Sequence, residues 1–292
     1  MKKTFLASQL IINEDGTIFH LHLHPEQLAD KVILVGDQNR VDIVASYFDE
    51  GSIECDVQNR EFHTITGRYQ GKRISCVSTG IGTDNCDIVL NELDALANID
   101  FETRTEKETH RCLEIVRVGT CGGMQEDIPI GTFLVSEKSI GFDGVLAFYD
   151  GRDAIADLGF EEALVDFIHY PEKAARPYVV AANPELVDRI AGDDMMRGCT
   201  IAANGFYGPQ GRVLRCDIAV KDINDRITDF RYNGQRITNY EMEGSAIAGL
   251  SLLMGHKAMT VCCVIAQRKA EAANTDYKPY IKQLIENVLQ RL

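Results

Sequence analysis

The chain has 292 residues, 45% of them hydrophobic, enough to bury a large core in one α/β domain or two smaller ones. Its 44 acidic and 30 basic residues give a formal net charge of −14, which disfavours nucleic acid or an anionic membrane as partner. Nine scattered cysteines without a C-x-x-C motif fit reduced, buried thiols in a cytoplasmic protein rather than a disulfide framework.

At the start, Lys2-Lys3 precedes an apolar stretch that is interrupted at Ser8-Gln9 and ends at Asn13-Glu14-Asp15, too short and broken for a signal peptide. His20, His22 and His24 alternate, so an extended backbone would set three imidazoles on one face, as a metal site needs; interface or surface positions are the alternative. Residues 32–35 read as a buried strand ending in the turn Gly36-Asp37-Gln38-Asn39-Arg40. A glycine beside an arginine after a strand can cradle an anion, because backbone N–H groups approach closely and guanidinium binds two oxygens at once. A salt-bridged or solvated arginine is the plainer reading.

Residues 73–78 read as a strand and 87–97 as an amphipathic helix behind it. Between them Gly80-Ile81-Gly82 begins a dinucleotide fingerprint, but Asn85 stands where a third glycine or alanine is needed, which argues against a dehydrogenase. The charged stretch 102–111 reads as an exposed insertion. Strand 113–118 carries Arg117 into Gly119-Thr120-Cys121-Gly122-Gly123, a second anion-cradle candidate. After a strand at 132–135, residues 149–177 form an irregular region that covers a site or builds an interface.

Strand 199–203 leads to Phe206-Tyr207-Gly208-Pro209-Gln210-Gly211-Arg212. In an extended loop Gln210 and Arg212 point the same way, roughly 7 Å apart. Gln210 then offers a donor and an acceptor to a flat polar ring, Arg212 offers donors, and Phe206 lies against the ring; ordinary turn chemistry is the alternative. A helix follows at 218–230. Asn239-Tyr240-Glu241-Met242-Glu243, ahead of a helix at 244–253, places two carboxylates in an apolar segment. A buried glutamate must be paired, hydrogen-bonded or protonated. Glu243 is suited to the vicinal hydroxyls of a ribose, or else to backbone donors at the helix start. The near-apolar region 246–266 is interrupted by His256-Lys257 and reads as a helix and then a strand, 259–265, rather than a membrane span. A last helix covers 277–292. Intermixed strands and helices predict one α/β domain, 1–292, with a twisted mixed central sheet flanked by helices on both faces.

Eight motifs, in order, carry a resemblance: Phe19-His20-Leu21, Gly36-Asp37-x-x-Arg40, Arg60-Glu61-Phe62, Ser78-Thr79-Gly80-Ile81-Gly82, Arg117-Val118-Gly119-Thr120, Phe206-Tyr207-x-x-Gln210-x-Arg212, Asn239-Tyr240-Glu241-Met242-Glu243 and Val264-Ile265-x-x-Arg268. From His20 to the C-terminus the chain resembles the nucleoside phosphorylase family, which also holds methylthioadenosine nucleosidases and whose phosphorylases cleave nucleosides with inorganic phosphate as co-substrate and no other cofactor. The resemblance implies phosphate at Gly36, Arg40, Arg117 and Thr120, with Arg60 reaching in from a neighbouring subunit. It implies ribose at Met242 and Glu243, with the neighbour's His20 near the 5′-hydroxyl. Thr120, Cys121, Gly122, Phe206, Gln210 and Arg212 would surround a uracil, and Arg268 would support it. Glu61, Ile81 and Asn85 match an interface position where relatives bind a metal cation. The assembly implied is a homo-oligomer, at least a dimer, sharing sites across its interface.

Cleaving an N-glycosidic bond builds positive charge on the sugar and negative charge on the departing base, so Arg117, Glu243, Gln210 and Arg212 are the expected catalytic set. Purine-cleaving relatives carry an aspartate after the strand that matches 259–265; here Ala266-Gln267-Arg268 stands there, and Gln267 cannot supply a proton. That favours a pyrimidine nucleoside, with purine nucleosides as runner-up. The full arginine set argues against hydrolysis by water, and the intact ribose carboxylate against a non-catalytic nucleoside-binding protein. Thr83-Asp84-Asn85, Gly208-Pro209 and Gly122-Gly123 depart from the family pattern and bear on fine substrate preference.

Overall fold

The computed structural model describes residues 3–268 and 272–292, so Lys2 of the N-terminal reading lies outside them. In chain order the strands are β1 (Lys31–Val35), β2 (Cys55–Asn59), β3 (Phe62–Tyr69), β4 (Lys72–Ser78), β5 (Ile99–Asp100), β6 (Thr105–Glu106), β7 (Glu114–Gly123), β8 (Phe133–Gly141), β9 (Tyr178–Ala181), β10 (Met195–Ala202), β11 (Arg231–Tyr232), β12 (Gln235–Glu241), β13 (Lys257–Gln267) and β14 (Ala272–Ala273). The helices are α1 (Gln38–Ala45), α2 (Thr83–Asn98), α3 (Arg152–Ile155), α4 (Leu158–Ile168), α5 (Pro184–Ile190), α6 (Ile223–Asp229), α7 (Gly244–Leu253) and α8 (Lys278–Arg291).

The main sheet runs β11-β12-β10-β8-β13-β7-β1-β4-β3-β2, with β9 on β8 and β14 on β13. It is mixed: β1 lies parallel to β4 and β7, whereas β13 is parallel to β7 and antiparallel to β8. An antiparallel contact of β12 with β7, at Asn239–Gly123 and Tyr240–Gly122, closes β7, β12, β10, β8 and β13 into a ring. The alternation along β1 explains why helices cover both faces. Val32 and Leu34 enter a core with Val89 and Leu93 of α2 and Ile247 and Leu250 of α7. Ile33 and Val35 enter a second core with Val41 of α1, Leu186 of α5 and Leu284 and Val288 of α8. A strand buried on both sides has no polar face to alternate with, hence its unbroken apolar run.

Three local expectations are corrected. Residues 149–177 are not irregular throughout: they hold α3 and α4, the latter capped by Asp157, which accepts from the Phe160 N–H (3.1 Å). Phe160, Leu164 and Ile168, one turn apart, pack against Ile227 and Phe230 of the α6 region. The helix expected at 218–230 begins only at Ile223, because none of residues 218–222 is buried and a helix there would have no face to pack. His22 adopts a left-handed backbone (φ 52°), so His20, His22 and His24 do not share a face of a strand. The 102–111 insertion is mostly exposed, as expected, and contributes β6 to a small β5–β6 hairpin. The 246–266 stretch divides into α7 and β13, and among the described residues no helix is long and apolar enough to cross a membrane. Seven of the nine cysteines are buried and all are free; Cys112 and Cys216 are exposed.

Candidate active site

A cleft of about 520 Å³ opens beyond the carboxyl ends of β1, β4 and β13, beside the end of β12 and the loop after β10. Crevices outside strand ends are where open α/β sheets collect their functional groups. Gly36, Arg40, Arg117, Thr120, Cys121, Gly122, Phe206, Gln210, Arg212, Met242 and Glu243 all line it, although they come from four separate segments.

At one end two buried guanidinium groups lie side by side. Arg40 projects from α1, where the cap residue Asp37 accepts from the Asn39 N–H (3.0 Å), and its Nη1 donates to the Val118 carbonyl (3.2 Å). Burial, and then the charge of Arg117, pull the Arg40 pKa down. Arg117 lies forward along its own strand: a Cβ on Gly119 would fall 2.2 Å from its Nη1, so a side chain there would push the guanidinium aside. Nη1 of Arg117 lies 3.0 Å from Glu241 Oε2 and 3.2 Å from Cys262 Sγ, and Nη2 pairs with Glu243 Oε2. Burial opposes the Arg117 charge, but Glu243 and Glu241 outweigh it and hold its pKa well above the usual range.

The two carboxylates of the β12 segment have distinct partners. Glu241 takes the helix-start donors, the N–H groups of Glu243 and Gly244 (both 2.9 Å to Oε2). Glu243 instead bridges Arg117 and the N-terminus of α2, where Oε1 accepts from the Gly82 N–H (2.8 Å). Gly82 caps α2 at φ 100°, which glycine adopts without strain. The helix-start role, the plainer alternative for Glu243, belongs to Glu241 instead. The signal was the E-x-E spacing itself, since a carboxylate reaches the N–H groups two and three residues on.

At the other end, Gly208–Gln210 forms a 3-10 turn and Gly211 is left-handed (φ 67°), so the loop is not extended as expected. The turn nevertheless brings the pair together: Arg212 Nη1 lies 2.5 Å from Gln210 Oε1, and Arg268 Nη2 donates to the same oxygen (3.1 Å). With two guanidinium donors on its oxygen, the Gln210 amide presents N–H groups to the cleft rather than a donor and an acceptor. Arg212 stacks on Phe206, its Cζ 3.7 Å from the ring centroid, and Arg268 lies 5.0 Å over Tyr240. Burial, then the nearby Arg212, lower the Arg268 pKa to about 10. Gln267 donates its Nε2 to the main-chain carbonyls of Gln125 and Ile128.

His20 and Arg60 of the same chain do not line the cleft. They cluster elsewhere: Asn59 Nδ2 donates to the His20 carbonyl (2.8 Å), and Arg60 lies 6.0 Å over the Phe19 ring. Glu61 and Asn85 converge on Gly80, with Ile81 exposed beside them. A cluster of possible ligands that the sequence did not suggest is Asp94, His110 and His256. His256 Nδ1 accepts from the Leu113 N–H (3.1 Å), so Nε2 carries the proton and donates to Asp94 (3.1 Å). A metal there would have to displace that proton, and the arrangement is a hydrogen-bonded pair linking α2, α7 and β7.

The fold and cleft define a class that comparison names. Residues 30–291 match the family described as the phosphorylase superfamily, and the chain belongs to it. It is 28% identical over 270 residues to the uridine phosphorylase of Thermococcus kodakarensis, covering 92% of this chain and 84% of that one. It is 26% identical over 250 residues to a DeoD-type purine nucleoside phosphorylase of Aliivibrio fischeri, covering 84% of each. The solved structure of a Trypanosoma brucei nucleoside phosphorylase, described as showing uridine phosphorylase activity, superposes with a TM-score of 0.87 at 30% identity, over 97% of this chain and 99% of that one.

Proposed function

We propose that this chain is a uridine phosphorylase, a pentosyltransferase that cleaves uridine, and deoxyuridine, with inorganic phosphate to uracil and the sugar 1-phosphate, reversibly. The observation that carries the reading is the base end of the cleft: Gln210 and Arg212 line it, and the Gln210 oxygen is already taken by Arg212 and Arg268, which leaves N–H donors to face the base. Uracil leaving as an anion spreads its charge over two carbonyl oxygens and a donor-only site meets it; each charge-assisted hydrogen bond is worth about 1.5–3 kcal/mol. A departing purine asks for a proton, and the Gln267 amide, tied to main-chain carbonyls, has none to give.

Phosphate sits between Arg40 and Arg117, with Gly36 and Thr120, under the ribose, where it is nucleophile and counter-charge in one. It takes Arg117 from Glu243, which then accepts from the ribose hydroxyls. No side chain forms a covalent intermediate; positioning and electrostatics carry the rate. The neighbouring subunit completes the site with its Arg60 at the phosphate and its His20 at the 5′-hydroxyl. The second copy seats on the outer face of α2, where a groove of about 990 Å³ is lined by Phe19, His20, Ile88 and Leu253. Glu61 and Asn85, which converge on Gly80, and the main chain of Ile81 would offer oxygen donors to a hard cation bracing that interface. Offered uridine and inosine side by side with phosphate, the enzyme should turn over uridine much faster; preference for inosine would assign it to purines.

A further inference from the structure

Glu92 stands midway along α2, and its carboxylate gathers the turn that carries His20. Oε1 accepts from the His20 main-chain N–H (3.0 Å) and lies 2.7 Å from His20 Nδ1, while Oε2 accepts from the Leu21 N–H (2.8 Å). The Glu92 side chain is 12% exposed and that of His20 26%, so the pair is shielded yet reachable. A carboxylate only accepts, so in the neutral ring the proton sits on Nδ1 and the lone pair on Nε2. The ring lines the groove on the outer face of α2, and among the described residues its one hydrogen-bonded nitrogen is Nδ1.

We infer, with the uridine phosphorylase reading above as premise, that Glu92 is a positioning residue for His20: it holds the ring as the Nδ1–H tautomer so that Nε2 accepts from the 5′-hydroxyl of a nucleoside in the adjoining subunit. The polarity of that contact selects nucleosides with a free 5′-hydroxyl. An ionised 5′-phosphate has no proton to donate to Nε2 and approaches the Glu92 charge.

Uridine and 5′-deoxyuridine separate this role from a merely structural one. In Glu92→Gln the side-chain oxygen can still serve Leu21, but the amide N–H faces Nδ1 and reverses the tautomer. Glu92→Gln and His20→Ala should each lower kcat/KM for uridine by roughly 3- to 10-fold, the double variant should fall no further, and 5′-deoxyuridine should be little affected by any of them. Equal losses on both substrates, or additive losses in the double variant, would overturn the assignment. Nitrogen-15 NMR of histidine-labelled protein reads the tautomer without turnover. His20 should be Nδ1–H in the wild type and Nε2–H in Glu92→Gln, and the same tautomer in both would also overturn it. Absence of ribose 1-phosphate from uridine in the wild type would contradict the functional reading instead, leaving the NMR result to judge Glu92.

Discussion

Arg117 faces Glu241 and Glu243 at once, one guanidinium against two carboxylates inside a closed ring of strands. Glu241 also holds two backbone N–H groups, so Glu241→Gln sets an amide N–H against donors and should cost about 1–3 kcal/mol of stability. The phosphate KM should rise with it, as Arg117 is drawn wholly to Glu243. Urea unfolding and phosphate kinetics on one preparation check both, and wild-type values would make Glu241 dispensable. Arg268→Met removes one of the two donors on the Gln210 oxygen and should raise the uridine KM by roughly 3- to 10-fold with the phosphate KM unchanged. Because the Arg268 charge is lost as pH rises through about 10, the wild-type uridine KM should climb there more steeply than that of Arg268→Met, in which only the ionisation of uridine itself remains. Glu243, Gln210 and Arg212 were legible in the sequence as polar residues among apolar or turn residues. The division of labour between Glu241 and Glu243 was not, nor was the saturated Gln210 oxygen, since both depend on how the main chain turns around them.

Glycines at the ends of elements decide what the side chains beside them can do. Gly119 lets Arg117 lie along β7, and a methyl there would overlap the guanidinium. Gly119→Ala should therefore raise the phosphate KM at least tenfold, with a circular dichroism spectrum like that of the wild type; an unchanged KM would remove Arg117 from the phosphate site. The buried strands of the sheet were readable because their apolar runs admit no other placement. Helix α4 was hidden by the prolines and the Asp-Gly pair around it, although Phe160, Leu164 and Ile168 keep a helical period. The extended geometry expected of His20–His24 and of 206–212 failed for one reason: each segment contains a left-handed residue, His22 and Gly211, which periodicity does not reveal.

On the scale of the whole molecule, the cleft lacks His20 and Arg60 of its own chain; His20 lines the groove that the proposed dimer covers, and Arg60 lies over Phe19, which lines it too. Subunits carrying Glu243→Gln and subunits carrying Arg60→Ala should be nearly inactive alone, yet after mixing and reassembly should recover about a quarter of wild-type activity, because half the pairs are mixed and each holds one intact site. No recovery in assemblies shown to be mixed would place each site within a single chain. Motif order made the family legible, whereas assembly depends on surfaces that no single motif spells out. The most direct test of the account is uridine cleavage by the purified protein with and without inorganic phosphate, following ribose 1-phosphate and uracil together. The account predicts both products in equal amounts and only when phosphate is present; uracil with free ribose, regardless of phosphate, would contradict it.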